Sequence, residues 1–529
     1  MQRRQFLQMA GATLAAGSSS GRALAQAPAQ KILRVAPHAD LKVLDPVAVS
    51  IVITRMHGMM IYETLFAWDS KLAPKPMMLA DYAVAQNGLK YDFRLRDGLK
   101  FHDGSPVTSA DVIPSLRRWM KRDVVGRKLA EYVSDLVPNG DGAFSMSLSR
   151  PYGFVEFSLG SAIGQLPAIM RRQDAENDPA KPIATAVGSG AFSFVANEWL
   201  SGAKVVYAKN QAYVPRSEPA DGLAGARVVK VDRVEWTIMP DPATAAAALQ
   251  AGEIDYWDRV PSDLIPLLKR SRNIQSGVLS SLPNVAMLRT NSLLPPFNNV
   301  KARQALAYAT DQAEYMEAVA GDNAPWKTCD AYFVCGSPNA SEAGASGFAK
   351  PDLARARQLL IESGYKGERV VLVSSMDIPA IGQLAQVTAA KLKEIGLNVD
   401  LQIYDWGTAN ARILKQDPVE QGGWNLYCTF FSGETQFNPL TNVAANMACD
   451  RSNWAGWPCD DQAEALRQAF IEASGDASRH DAAVQLQQRL AEVQPYRILG
   501  QFSQASAWRS TISAPPVTPV AVFWNIDKA

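Results

Sequence analysis

The stretch that most restricts the fold lies between residues 368 and 406. It reads ERVVLVSS, then IGQLAQVTAAKLKEIG, then LNVDLQIYDW. The first run is short, apolar and β-branched, as a buried strand is. The middle run groups Leu384, Val387, Leu392 and Ile395 on one helical face, with the stem of Lys391 among them and Gly396 as its stop. In the third, Leu397, Val399, Leu401 and Ile403 alternate with polar residues. This β-α-β order makes residues from about 290 to 495 an α/β domain. It delivers Tyr404, Asp405 and Trp406 to a strand end, where ligands of open α/β sheets bind.

A chain of 529 residues exceeds one hydrophobic core, so two or three domains are expected. The remaining signals are local. ILRVA near residue 32 reads as a strand, Tyr91, Phe93 and Leu95 alternate, and so do Val234, Trp236 and Ile238. Thr108 to Asp111 forms a capping box that starts a helix before Val112, with Pro114 in its first turn. Pro242 to Ala251 reads as a helix, as do about Val300 to Gly321, a segment starting at Pro351-Asp352 and ending at Gly364, and Ala482 to Val493. Gly188 and Gly190 in AVGSGAFSF suit a tight turn; no G-K-[ST] follows, so this is not a phosphate loop.

The first 25 residues read as an export signal: Arg3-Arg4-x-Phe6-Leu7, an Ala-rich run, then Ala23-Leu24-Ala25. The adjacent arginines resemble a twin-arginine signal. Cleavage near Ala25 removes three arginines and no acid, leaving 50 basic against 52 acidic side chains. That balance offers no basic field for nucleic acid. No run reaches the ~18 apolar residues of a membrane helix. In an oxidising periplasm Cys329 with Cys335, and Cys449 with Cys459, read as disulfides, each contributing roughly 2–3 kcal/mol, with Cys428 left over. No C-x-x-C and no nearby histidine pair marks a metal site.

Residues 404–438 concentrate Trp406, Trp424, Tyr427 and three phenylalanines around Glu434. The composition fits either a core segment or the apolar wall of a small-molecule cleft with one placed carboxylate. Trp454 and Trp457 supply a second wall or pack on their own lobe. An enzyme finds little support: the G-x-S-x-G at Gly17–Gly21 falls in the signal, and there is no H-E-x-x-H.

Five segments in order, YDFRLRDGLKFHDGSPVTSADV, VGSGAFSF, LRTNSLLPPFNNVKARQALAYATD, PDLARARQLLIESGYKG and KLKEIGLNVDLQIYDW, resemble the dipeptide/oligopeptide class (family 5) of extracellular solute-binding proteins of ABC importers. The resemblance implies an α/β, two-lobed periplasmic binding protein fold. Lobe I covers 26–284 with an inserted subdomain at about 55–190, lobe II covers 285–495, and 496–529 returns to lobe I. Two hinge crossings are expected near Asn284–Asn291 and Gln494–Gln501. The implied function is capture of a peptide or peptide-like solute by a monomer, without a cofactor, and delivery to an inner-membrane permease with its ATPase subunits. The alternatives are a non-peptide solute (a cation, a nickel chelate or haem) and, more remotely, a periplasmic hydrolase.

Dipeptide binders of this class hold the solute's amine with an aspartate and its carboxylate with an arginine, because both charges need partners on leaving water. Carried over, the acid falls near Glu434, while the arginine's place falls on Ser375. The carboxylate is then left to Arg55 or Arg412. His57 and His102 are candidates only for a metal-chelate or haem reading. The expected cleft is thus Trp406, Glu434, Trp424, Tyr427, Ser375, Arg55, His57 and Trp457.

Overall fold

A computed structural model describes residues 30–529. They form two large sheets joined by two short links. The first sheet has the strand order Ile274–Val278, Ala505–Arg509, Tyr256–Val260, Ile32–Ala36, Arg233–Thr237, Lys204–Lys209, Phe192–Phe194. Ile32–Ala36 sits at its centre, parallel to both neighbours. The second sheet runs Trp326–Lys327, Tyr496–Phe502, Asn284–Thr290, Leu426–Phe431, Arg369–Ser375, Asn398–Tyr404.

Residues 368–406 form most of the parallel part of this second sheet. Arg369–Ser375 pairs in parallel with Asn398–Tyr404 and with Leu426–Phe431. Side chains alternate across a strand. Val370 and Leu372 therefore pack with Leu384 and Leu392 of the helix Pro379–Glu394, while Val371 and Val373 point the other way, into Trp424, Tyr427 and Trp457. Both faces are covered, which is why the strand reads as continuous apolar sequence.

A smaller antiparallel sheet, Leu79–Ala85, Lys90–Leu95, Ala143–Leu148, Val133–Pro138, forms a third unit. Phe93 and Phe144 stack across it at 4.9 Å. The helix Ser109–Met120 starts at the Thr108/Asp111 capping box. Pro114 lies inside this helix rather than in its first turn.

The links between the large sheets are residues 279–283 and 503–504. The stretches expected to cross are instead neighbouring antiparallel strands of the second sheet. Their pairing keeps Tyr496–Phe502 in that sheet, so the chain re-enters the first sheet at Ala505, not at residue 496. The helix read as Val300 to Gly321 is two, Val300–Tyr308 and Gln312–Val319. Asp311 breaks it by capping the second through the Ala313 N–H at 3.0 Å. The last helix is longer than its apolar pattern, Asp476–Val493, and Asp461–Glu472 precedes it.

The two large units touch away from the links as well. Phe470 stacks on Phe154 at 5.3 Å, and Arg150 pairs with Glu472 at 2.8 Å. Cys329–Cys335 and Cys449–Cys459 are disulfide-bonded, and Cys428 is buried as a free thiol. Among the described residues no helix is long and apolar enough to cross a membrane.

Candidate functional site

Where the two sheets meet, the links wall a cavity of about 90 Å³. Val52 and Met56 enter from the helix Val52–Ile61, and Ser432 from the end of the strand Leu426–Phe431. Asp258 and Arg259 enter from the carboxyl end of Tyr256–Val260. His38 lies just beyond the carboxyl end of the parallel neighbour Ile32–Ala36, and its Nδ1 is 2.6 Å from Asp258 Oδ2. The site thus sits beyond the carboxyl ends of parallel strands, as in other open α/β sheets, but those of the first sheet.

Glu434 reaches the junction from the turn after Leu426–Phe431. Gly433 permits this turn: a Cβ there would lie 2.4 Å from Leu282 Cβ and 2.6 Å from the Pro283 carbonyl oxygen, both in the link. The Glu434 side chain is fully buried. One oxygen lies 3.5 Å from Ser280 Oγ, and Oε2 has no hydrogen-bond partner among the described residues. Burial pushes its carboxyl up to about 6, against the pull of its backbone, Ser432 and Ser280 contacts.

Arg55, on the first lobe's helix Val52–Ile61, feels the charge of Glu434. It donates to the Ser50 and Gly164 carbonyls at 2.8 and 3.1 Å. Its Nε is buried without a partner among the described residues. Burial, and then the charge of Arg259, lower its guanidinium to about 10, while Asp123 and Glu434 oppose the shift. Asp123 caps the helix Val124–Ala130, and burial raises its carboxyl to about 6. Asp258 is held below the usual carboxylate range: burial raises it, but His38 and Arg259 outweigh burial. Burial and Arg259 lower the His38 ring.

Of the residues expected from sequence, Glu434 lies at the junction, Arg55 feels its charge, and the others are dispersed. Trp424, Tyr427 and Trp457 are buried beneath the second sheet. Trp424 meets Tyr427 at 5.0 Å and Trp457 at 6.0 Å, with the helix Trp406–Ile413 closing over them. They are core here, not walls of the junction, because their strand face turns toward that helix. Trp406 is 37% exposed at the rim of a smaller pocket that includes Ser375 and Tyr427. Ser375 is fully buried, and its Oγ accepts from the Asp377 N–H at 3.2 Å.

Arg412 is committed to Gln402 at 2.6 Å, to the Tyr404 hydroxyl and to the Gly423 carbonyl at 3.0 Å. It does not line the junction cavity. His57 is buried in the first lobe, 3.0 Å from the Tyr207 hydroxyl and edge-on to Phe194. Burial alone pulls its ring down to about 3, so it is neutral. His102 serves a turn, with Nε2 3.1 Å from the Gly190 carbonyl. His38, Asp258 and Arg259 went unread in sequence. The signal that points to them is the strand-end rule applied to ILRVAPH and YWDRV, not only to the second sheet.

Two α/β sheets, two links and a cavity between them define a two-lobed periplasmic binding protein. The chain belongs to the bacterial extracellular solute-binding proteins of family 5, a family of ABC importers: residues 73–447 match "Bacterial extracellular solute-binding proteins, family 5 Middle". It is 37% identical over 527 residues, 98% of each chain, to the "Probable peptide ABC transporter periplasmic-binding protein y4tO" of Sinorhizobium fredii. The oligopeptide-binding protein AppA of Bacillus subtilis, solved with a nonapeptide, superposes with a TM-score of 0.78 at 20% identity, over 94% of this chain and 99% of that one. AgaA of A. tumefacien R10, solved with agropinic acid, superposes with 0.77 at 21% identity, over 94% and 99%. These two likenesses carry the fold alone.

Proposed function

We propose that this protein captures a peptide or peptide-like solute at the junction of its sheets and hands it, unchanged, to an inner-membrane ABC permease. The observation that carries the reading is Glu434: a fully buried carboxylate with one oxygen unpaired among the described residues. A buried acid without a partner is costly, and an ammonium group of the solute removes that cost. The peptide transporter relative, similar over nearly the whole chain, supports the same class of solute. Ser375, where the family's dipeptide binders place arginine, argues for a solute other than a plain dipeptide.

Metal-chelate and haem readings gain nothing from the histidines, since His57 is packed and neutral and His102 holds a turn. The one group of three potential metal ligands among the described residues is Cys329, Cys335 and Glu342, and both cysteines are in a disulfide. The protein acts as a monomer and is exported by residues 1–25, which lie outside the described residues. An intact mass starting at Gln26 checks the cleavage.

Thermal denaturation of the mature chain with di- to pentapeptides tests the binding reading. A solute at a hundredfold excess over Kd stabilises by about 2.7 kcal/mol. No stabilisation by any peptide would remove the peptide assignment.

A further inference from the structure

Resting on that reading, we infer that Arg259 is the anchor for the solute's carboxylate, in a cavity whose wall includes Ser280, the residue 3.5 Å from the Glu434 carboxyl. Three observations converge on it. Arg259 lines the cavity. Its backbone has φ 55°, in the left-handed region that a residue with a Cβ rarely occupies. The strain falls where pairing to Ala505–Arg509 shifts register between Trp257 and Val260, so the strand is broken at the residue that faces the cavity.

The third observation is that its guanidinium makes no hydrogen bond among the described residues. Its Nε is 4.0 Å from Asp258, beyond hydrogen-bond distance. That carboxylate already has His38 at 2.6 Å. Three other arginines are held by their own lobes: Arg55 by two carbonyls, Arg412 by three acceptors, Arg289 by the Ala455, Ala444 and Trp454 carbonyls. Arg55 feels the charges of both Arg259 and Glu434.

A zwitterion entering this junction therefore meets a guanidinium with no hydrogen-bond partner among the described residues, with the half-unpaired Glu434 carboxyl behind Ser280. The guanidinium fork matches a carboxylate with two parallel hydrogen bonds. Arg259 supplies from the first lobe the cation that Ser375 does not supply from the second. Strained backbone at a binding residue is a known way to fix a side chain for its ligand. The solute class is accordingly one bearing both a free amine and a free carboxylate.

The test uses the mature chain and matched probes: di-, tri- and tetrapeptides of Ala, Leu, Phe and Lys as free acids and as C-terminal amides, titrated by calorimetry. The wild type is expected to bind free acids at least about tenfold more tightly than the amides, the size of a charge-assisted contact. Arg259→Gln should bind both forms alike. Arg259→Lys, which keeps the charge without the fork, should retain part of the preference. Arg259→Gly should melt at a higher temperature than the wild type without solute and lose acid selectivity, a combination that a purely structural arginine would not give. Equal binding of acids and amides by the wild type, or an undiminished preference in Arg259→Gln, overturns the role of Arg259 and leaves peptide capture standing. Failure of every peptide, acid or amide, to bind the wild type overturns both.

Discussion

Replacing Glu434 by glutamine separates what this side chain costs the fold from what it does for the solute. Burial raises its carboxyl from 4.5 to about 6. An acid whose folded value lies above its unfolded one holds its proton longer in the fold. Its penalty is absent below pH 4.5, grows through the window up to about 6, and is fully present above it. A shift of that size corresponds to about 2 kcal/mol of destabilisation at pH 7.5. Glu434→Gln is therefore expected to melt higher than the wild type at pH 7.5, by up to that amount, and level with it at pH 4.

Binding of an amine should show the opposite dependence. The anchor works only when ionised, and at pH 5 about one tenth of a group titrating near 6 is ionised. An amine-bearing peptide should then bind the wild type about tenfold more weakly at pH 5 than at pH 7.5, while the variant binds weakly at both. Asp123 titrates in the same window, but Glu434→Gln leaves it in place, so any slope that persists in the variant belongs there. Calorimetry and thermal melts across pH 4–8 read both effects. A wild-type affinity flat between pH 7.5 and 5, or a variant that binds as tightly as the parent, would refute the anchor.

Gly433→Ala forces a Cβ against Leu282 and the Pro283 carbonyl; the turn must shift, costing about 1–3 kcal/mol of stability in a denaturant melt and weakening solute binding. Trp424→Ala empties buried volume beneath the second sheet and should cost about 3–5 kcal/mol, while the affinity per folded molecule, measured by titration, stays at the parent value because Trp424 does not line the junction cavity.

The parallel core of the second sheet was legible because local signals agreed there: apolar runs, helix period and a glycine stop all pointed the same way. The helix Pro242–Ala251 was equally plain, with Asp241 as its cap and Gly252 in the left-handed conformation after it. Asp461–Glu472 was not, because its buried face includes Arg467, paired with Glu464 at 2.9 Å, and a charge there blurs the apolar stripe. The aromatic stretch misled for a related reason. Composition places Trp424 and Tyr427 near Glu434 in sequence but does not say which face of the sheet each takes. His38 and Asp258 are 220 residues apart in sequence and meet only because two strands pair in parallel. Glu434 was reached through family resemblance, and its unpaired oxygen only through the fold.

Solute capture at the junction is tested most directly by native mass spectrometry. The mature protein, incubated with the free-acid peptide that stabilises it most, should gain the mass of one peptide per chain. On denaturation that peptide should return with its mass unchanged, and Glu434→Gln should show little adduct under the same conditions. Release of cleaved peptide, or an adduct that persists undiminished in Glu434→Gln, would contradict the account.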